Sequence, residues 1–213
     1  MLSLVLTIAS FALVGAITPG PVNVLALRHG SQGPRRVALL YVLGASLSYM
    51  LVVWCMGLGA RQLLHWLPRL ASSAQWLCAA YLLWLAWCLA RAPVQASSTL
   101  GDPAADSQPA PQHAPREAAR AFMQGVAVQT LNPKAWLFAL SAVGLFVLPQ
   151  SPASSAALYL LCGISLLACL LGVGCWACLG RVLVRWIRTP QQQKNLNLVL
   201  AAMLMASIFA MLA

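Results

Sequence analysis

Two proline motifs interrupt hydrophobic stretches that are long enough to cross a membrane. Thr18-Pro19-Gly20-Pro21 lies in the first half of the chain, and Asn132-Pro133-Lys134 lies at a matching place in the second half. Proline lacks a backbone N–H and clashes with the carbonyl four residues earlier, so each motif predicts a break in a helix. At bilayer depth such a break is tolerated only where protein or a water-filled cavity satisfies the freed backbone groups. The pair therefore predicts a cavity that binds a polar substrate, as in a transporter.

The composition is typical of an integral membrane protein. Of 213 residues, 61% are hydrophobic and 8% are charged, and the mean hydropathy is +0.80. No charge occurs between Lys134 and Arg181, a stretch that is roughly twice the ~30 Å hydrocarbon thickness at about 1.5 Å per residue. It predicts two spans, separated at 149–152. Along the whole chain, the same reasoning predicts six spans at 2–27, 37–60, 74–91, 121–148, 154–178 and 196–213.

The predicted spans divide into two halves of three. Residues 1–91 form the first three-helix repeat and residues 120–213 the second. Between them, 92–119 is hydrophilic and proline-rich, which predicts a cytoplasmic linker, with a regulatory docking site as the alternative. Because three spans is an odd number, two copies of one unit enter the membrane in opposite orientations. The predicted fold is all-α, with six transmembrane helices in two inverted repeats and the first and fourth helices broken at the proline motifs.

The first predicted span also has features of a secretory signal, since it is apolar and begins near Met1. It lacks a basic region before the apolar run, and it continues past any plausible cleavage site into the first proline motif. We therefore expect it to remain in the mature protein.

The basic residues predict the orientation of the chain and its surroundings. All but three of the 13 Lys and Arg residues fall on one side of the predicted spans; the exceptions are Arg61, Arg69 and Lys134. Since short cytoplasmic loops carry the excess of Lys and Arg, both termini are predicted to face away from the cytoplasm. The net charge of +10 is scattered over short loops, which favours contact with membrane lipid over nucleic-acid binding.

Lys134 is a cation deep within the fourth predicted span, where its side chain is too short to reach either interface. Its insertion costs roughly 2.5–3.5 kcal/mol, and the dipole of the helix that begins beside it disfavours positive charge. The acidic residues Asp102, Asp106 and Glu117 all fall in the linker. We therefore expect the compensating anion to be the substrate. A lysine neutralised by burial, or solvated by a cavity and by free carbonyls, is the alternative.

The two breaks are expected to form one binding site. Thr18 and Asn132 are favoured N-cap residues that precede proline, and the half-helices that follow would aim their N-termini at a shared region. Those ends suit a carboxylate, while an ammonium would meet the carbonyls freed by proline at Gly15, Ile17 and Gln129. Two ordinary proline kinks are the alternative. The predicted substrate-binding residues are Thr18, Pro19, Gly20, Pro21, Asn23, Gln129, Asn132, Pro133 and Lys134.

Seven cysteines, including Cys175 and Cys178 in a CxxC spacing, all fall within predicted spans. We interpret them as small apolar fillers, because no histidine or carboxylate joins the pair to hold a metal. The absence of a nucleophile–base pair and of a phosphate-binding loop argues against an enzyme, and nothing implies a cofactor. A transmembrane thiol–disulfide electron carrier is the alternative function. It would need a redox cysteine beside each break, where this chain has Thr18 and Asn132.

Small residues within the predicted spans suggest where helices approach each other. Gly44, Gly163, Gly172 and Gly174 each offer a position at which two backbones can come close. The pattern does not distinguish contacts within one subunit from contacts between subunits. The sequence is therefore compatible with a homo-oligomer as well as with a monomer.

The runs TPGPVNVLALRHG and LNPKAWLFAL resemble the LysE/RhtB amino-acid exporters, and the resemblance spans essentially the whole chain. The runs ALSAVGLFVLPQ, GCWACLG and LNLVLA are most similar to the cysteine/O-acetylserine exporter branch. The resemblance implies a secondary transporter of the bacterial inner membrane that exports small amino acids or their derivatives by antiport with protons. The motif positions that it carries over are Thr18, Pro19, Gly20, Pro21 and Asn23 in the first half and Asn132, Pro133 and Lys134 in the second. Some relatives have an acidic residue in the second span, where this chain has Ser46 and Ser48, which leaves the proton carrier open.

Overall fold

A computed structural model describes residues 2–91, 114–150, 154–187 and 189–212 of the chain. Within these ranges every regular element is helical, which confirms the all-α prediction. The helices are α1 (Leu2–Ile17), α2 (Pro21–Gln32), α3 (Arg35–Ala90), α4 (Ala114–Leu131), α5 (Pro133–Phe146), α6 (Ser154–Val184) and α7 (Pro190–Leu212), with a short 3₁₀ turn at Leu148–Gln150. Residues 92–113 of the predicted linker lie outside the described ranges, and 114–119 belong to the start of α4.

The first predicted break separates α1 from α2, whose axes meet at 66°. Its position is confirmed, but the predicted N-cap at Thr18 is wrong. Gly20 is the N-cap, and Pro21 occupies the first helical position. Thr18 instead belongs to the end of α1, because its hydroxyl donates to the carbonyl of Val14 one turn earlier. The second proline of the motif, and not the first, therefore starts the new half-helix.

The second predicted break separates α4 from α5 at Asn132. Here the N-cap prediction is confirmed, since Asn132 Oδ1 accepts a hydrogen bond from the backbone N–H of Lys134 at 3.2 Å. Pro133 occupies the first helical position, where a backbone N–H would have no acceptor within the helix, so proline loses no hydrogen bond there. The local chemistry of Asn-Pro thus suffices to end one helix and start the next.

The second and third predicted spans, 37–60 and 74–91, form one continuous helix, α3, and not two separate elements. Hydropathy locates apolar stretches but not helix ends, because polar residues such as Gln and Arg favour helix as well as Leu does. A straight helix of 56 residues would be about 84 Å long, nearly three times the ~30 Å hydrocarbon thickness. Both ends of α3 contribute buried side chains, such as Tyr41 and Leu82, to one hydrophobic core.

Among the described residues, two helical stretches are long and apolar enough to cross a membrane, Arg35–Gly59 and Ser155–Val184. The bent pair of α1 and α2 qualifies as a third, while Ala79–Ala90 and α5 are shorter apolar helices. Large side chains such as Leu39, Leu171 and Phe209 are exposed on the outside of the bundle. An apolar exterior around an apolar core is what a protein surrounded by lipid requires.

Each broken helix packs against a long helix from the other half of the chain. α3 contacts both α4 and α5, and α6 contacts both α1 and α2. In two of these helix pairs, glycines allow the two backbones to approach each other closely. A Cβ at Gly44 would lie 2.3 Å from Phe122 O, and one at Gly30 would lie 1.9 Å from Ala177 O. The two halves are therefore interleaved, and neither break is enclosed by its own half alone.

Two of the four predicted glycines make close contacts within the chain. Gly44 faces α4, and a Cβ at Gly172 would lie 2.7 Å from Ala16 Cβ. A Cβ at Gly163 or at Gly174 would instead meet nothing within 4 Å among the described residues. Sequence alone therefore identifies candidate glycines but not which of them face a neighbouring helix.

Candidate functional site

The two helix breaks meet at one cavity. It is lined by residues of α1, α2, α4 and α5 on either side of the breaks, and by residues of α3 and α6. Six of the nine predicted site residues line it: Thr18, Gly20, Asn23, Gln129, Asn132 and Lys134. The three prolines, Pro19, Pro21 and Pro133, do not line it; Pro21 and Pro133 start the half-helices that do.

Lys134 joins the two breaks. It is half-buried, and its ammonium donates a hydrogen bond of 2.8 Å to the carbonyl of Thr18, 116 positions earlier in the chain. Its Nζ also lies 5.7 Å from the centre of the Phe138 ring, within reach of a cation–π interaction. No carboxylate contacts it among the described residues. A carbonyl and a ring stabilise the ammonium only in part, so the charge remains available to an anion in the cavity.

The N-terminus of α2 is open toward this cavity. Gly20 has no side chain with which to cap the helix, and Pro21 has no N–H. The backbone N–H groups of Val22 and Asn23 have no acceptor among the residues described here, whereas Val24 N–H donates to Gly20 O at 3.0 Å. A Cβ placed on Gly20 would lie 3.8 Å from Lys134 Nζ. Two free donors and an ammonium therefore lie side by side, and together they suit a carboxylate.

The N-terminus of α5 is closed, so the two ends are not equivalent. Asn132 Oδ1 accepts from Lys134 N–H, and the Asn132 carbonyl accepts from Ala135 N–H at 2.9 Å. Both early amides of α5 are thus satisfied by Asn132 itself. The sequence predicted two equivalent positive helix ends, and in the structure only the end of α2 offers free donors.

The carbonyls at the breaks are also more occupied than the sequence predicted. Ile17 O accepts from the indole N–H of Trp176 at 3.0 Å, and Gln129 O accepts from Asn132 N–H at 3.3 Å. Each of these carbonyls thus already accepts one hydrogen bond from the protein. The carbonyls of Ala16 and Thr18 are held by Asn23 Nδ2, at 2.9 Å each. Asn23 thus secures the end of α1 as well as lining the cavity.

Three polar side chains in the cavity wall have spare hydrogen-bonding capacity. Gln129 and Tyr49 are 6% and 7% exposed, and their side chains have no hydrogen-bond partner in the described part of the chain. Asn132 Nδ2 likewise has no hydrogen-bond partner in the described part of the chain. Buried polar groups are normally hydrogen-bonded, so these three call for water or a polar ligand.

Sequence reasoning missed the part of the wall that α3 and α6 provide. Tyr49 lies in α3, and Cys169 and Val173 lie one turn apart in α6. In the sequence, Tyr49 is distinguished only as a polar residue within an apolar span. The sequence pattern favours Cys169 as a small apolar filler and does not indicate that it lines a cavity. Cys169 is the one cavity-lining residue among the described cysteines, all of which are free. Cys175 and Cys178 are exposed on α6.

Comparisons with known proteins identify a family and several relatives with similar sequences. The sequence model of the family described as LysE type translocator matches residues 13–212. A protein of Salmonella typhimurium (strain LT2) named cysteine/O-acetylserine efflux protein is 32% identical over 199 residues, covering 92% of this chain and 90% of the relative. The protein of the same name from Escherichia coli (strain K12) is 31% identical over the same shares. No solved structure gives a significant match.

Proposed function

The chain belongs to the LysE type translocator family, and on that basis we propose that it exports small amino acids or their derivatives from the cytoplasm in exchange for protons. It is a transporter and not an enzyme. Family membership places it in the bacterial inner membrane as a multi-pass protein. The names of its relatives make cysteine and O-acetylserine the first substrates to test.

In the membrane, the chain forms six spans arranged as two inverted three-helix repeats, with both termini away from the cytoplasm. The interleaved packing supports this arrangement: α3 covers the broken pair α4 and α5, and α6 covers the broken pair α1 and α2. Such reciprocal packing is what a twofold axis in the membrane plane produces. In this arrangement α3 folds back between its two apolar stretches, so that one helical element supplies the second and third spans.

A zwitterionic amino acid binds between the two breaks. Its carboxylate accepts from the free N–H groups of Val22 and Asn23 and from the Lys134 ammonium. Its own ammonium donates to the side-chain oxygen of Gln129, which has no partner among the described residues. This placement satisfies groups that the protein by itself leaves unpaired, because each donor then meets an acceptor.

One observation carries the proposal: the Lys134 ammonium lies beside an uncapped helix N-terminus in a cavity formed by both breaks, and no carboxylate of the described residues neutralises it. A buried cation and free amide donors at one point are costly without an anion. The carboxylate is the group that all amino-acid substrates share. The site therefore fits the substrate class of the family by its charge.

The proposal is tested by replacing Lys134 with glutamine in proteoliposomes loaded with labelled cysteine or O-acetylserine. Lys134→Gln should lower the initial export rate about 10-fold or more, since a hydrogen bond to a charged group contributes about 1.5–3 kcal/mol. The amount of protein in the membrane should not fall, because the substitution removes an insertion cost of roughly 2.5–3.5 kcal/mol. Lys194→Gln, at an exposed lysine near the start of α7, is the matched control.

Proton coupling is measured in the same vesicles. An outside pH below the inside pH should accelerate export, and a protonophore should remove the acceleration. Export by Lys134→Gln at the wild-type rate would refute the binding role of Lys134. Failure of wild-type protein to export any amino acid under any gradient would refute the function itself.

A further inference from the structure

The wall of the cavity contributed by α3 and α6 carries no charge and consists of Tyr49, Cys169 and Val173. Tyr49 and Cys169 line the cavity and are 7% and 2% exposed. They lie close enough to interact electrostatically. Ser46, one turn before Tyr49 in α3, is fully buried and lies beside the Cys169 thiol. Because Cys169 lines the cavity and Ser46 does not, the serine lies behind the cysteine.

The Tyr49 hydroxyl has no hydrogen-bond partner within the described ranges, and Tyr49 lines the cavity. Ser46 Oγ, behind this wall, is fully shielded from solvent and has no hydrogen-bond partner there either. An unpaired buried hydroxyl costs about 1–3 kcal/mol. A polar ligand in the cavity can satisfy Tyr49 Oη directly, whereas it reaches Ser46 Oγ only past the Cys169 thiol.

The wall has no group that would neutralise a charged ligand. Of the acidic residues, the structure describes only Glu117, which is exposed near the start of α4. A basic side chain would therefore enter the cavity without a counter-charge and would meet the repulsion of Lys134. An acidic side chain would compete with the substrate's own carboxylate for that ammonium. Electrostatics thus favours a neutral side chain against this wall.

We propose that Tyr49, Cys169 and the Ser46 behind it receive the side chain of the exported amino acid and select short neutral side chains that carry a hydroxyl, thiol or ester. The proposal rests on the transport function above and concerns only the choice of substrate. Tyr49 donates or accepts a hydrogen bond at the tip of the side chain. Cys169 limits the length of the side chain, because any longer group would have to displace its thiol and reach Ser46.

Two substitutions separate these roles. Tyr49→Phe removes only the hydroxyl and should lower the ratio of cysteine to alanine export about 10-fold, since a lost hydrogen bond to substrate changes discrimination by at least 1.4 kcal/mol in a polar site. Cys169→Ala enlarges the pocket and should raise the ratio of leucine to cysteine export about 10-fold. Arginine should remain a poor substrate in both variants, because neither adds a negative charge.

Cys162→Ala is the matched control, because Cys162 is also a buried cysteine of α6 and does not line the cavity. Export ratios are measured from initial rates with mixed labelled substrates, so that a change in protein amount cancels. Wild-type ratios in both Tyr49→Phe and Cys169→Ala would overturn the inference while leaving the exporter function intact. An equal change in Cys162→Ala would overturn it as well. Absence of export by the wild-type protein would instead refute the proposed function.

Discussion

At the scale of single residues, the N-cap residues of α2 and α5 determine which backbone N–H groups remain free to bind an anion in the cavity. Gly20 and Asn132 occupy the same place in α2 and α5, directly before a proline. Asn132 satisfies the early amides of its own helix, whereas Gly20 cannot. A pair of similar motifs therefore produces one closed and one open helix end. The open end lies beside Lys134, where its dipole and the ammonium act on the same anion.

Gly20→Ala is a direct test of the open helix end. Gly20 has an extended backbone, with φ −173° and ψ 177°, and a Cβ would make only ordinary contacts, 3.8 Å from Lys134 Nζ. The methyl group would nevertheless occupy the space beside the free amides. Export should fall about 10-fold, while the loss of a favoured N-cap residue should lower Tm by less than about 4 °C.

Both quantities are measured on the same purified protein, export in proteoliposomes and Tm by thermal unfolding in detergent. Gly174→Ala is the control, because nothing lies within 4 Å of a Cβ at that position. Unchanged export with Gly20→Ala would show that the open end of α2 does not bind substrate. A large fall in Tm would show that Gly20 is needed for folding and not for the site.

At the scale of helices, interleaving explains how the backbone groups freed at the breaks are satisfied. The carbonyl of Ile17, released from α1 by the break, is satisfied by Trp176 of α6. Near the other break, Ser48 of α3 donates to Val126 O at 3.3 Å and lies 2.8 Å from the Thr130 hydroxyl of α4. Each long helix thus supplies polar groups to the broken helix that belongs to the other half. Breaks of this kind are stable in a membrane only with such partners.

The close contact between α2 and α6 depends on glycines in both helices. A Cβ at Gly30 would lie 1.9 Å from Ala177 O, and a Cβ at Gly180 would lie 2.0 Å from Leu27 O. Both neighbours are backbone atoms, which cannot move without the whole helix. Gly30→Ala should therefore separate the helices and lower Tm by more than about 4 °C, because overpacking costs about 1–3 kcal/mol.

Gly163→Ala is the control for this substitution, because a Cβ there would meet nothing within 4 Å. Thermal unfolding in detergent compares the two variants with the wild-type protein. Equal Tm values for Gly30→Ala and Gly163→Ala would contradict the close approach of α2 and α6. The comparison isolates packing, since both variants add one methyl group to a helix.

At the scale of the whole molecule, charge and span number together predict the topology. All but three of the 13 Lys and Arg residues lie on one predicted side, which the positive-inside rule assigns to the cytoplasm. Alkaline phosphatase fused after Ala213 should be active, because this enzyme forms its disulfides only outside the cytoplasm. The same enzyme inserted within 100–110 of the linker should be inactive.

A fluorescent protein that folds only in the cytoplasm gives the reciprocal readout at both sites. It should be dark after Ala213 and bright within the linker. Activity of alkaline phosphatase at both sites, or at neither, would contradict three spans in the second half. Activity in the linker alone would reverse the predicted orientation.

The sequence by itself determined the class of the protein, the location of both breaks and the cap at Asn132. These features depend on neighbouring residues: an apolar stretch must be long enough to span lipid, and a proline removes the N–H of its own turn. The choice between Thr18 and Gly20 as the first N-cap was missed, because Thr-Pro-Gly-Pro contains two prolines that can each start a helix. The continuity of α3 was missed because hydropathy reports the solvent preference of a segment and not its backbone conformation.

The tertiary structure decided which groups face the cavity. Lys134 meets Thr18 across 116 positions, and Tyr49 and Cys169 line the same cavity from helices of different halves. Neither pairing follows from sequence, because a residue in an apolar helix can face lipid, a neighbouring helix or a cavity without any change in the hydropathy of its segment. Only the packing of the interleaved halves fixes the rotation of each helix. The rotation of each helix therefore determines which polar side chains face the cavity and whether Lys134 is among them.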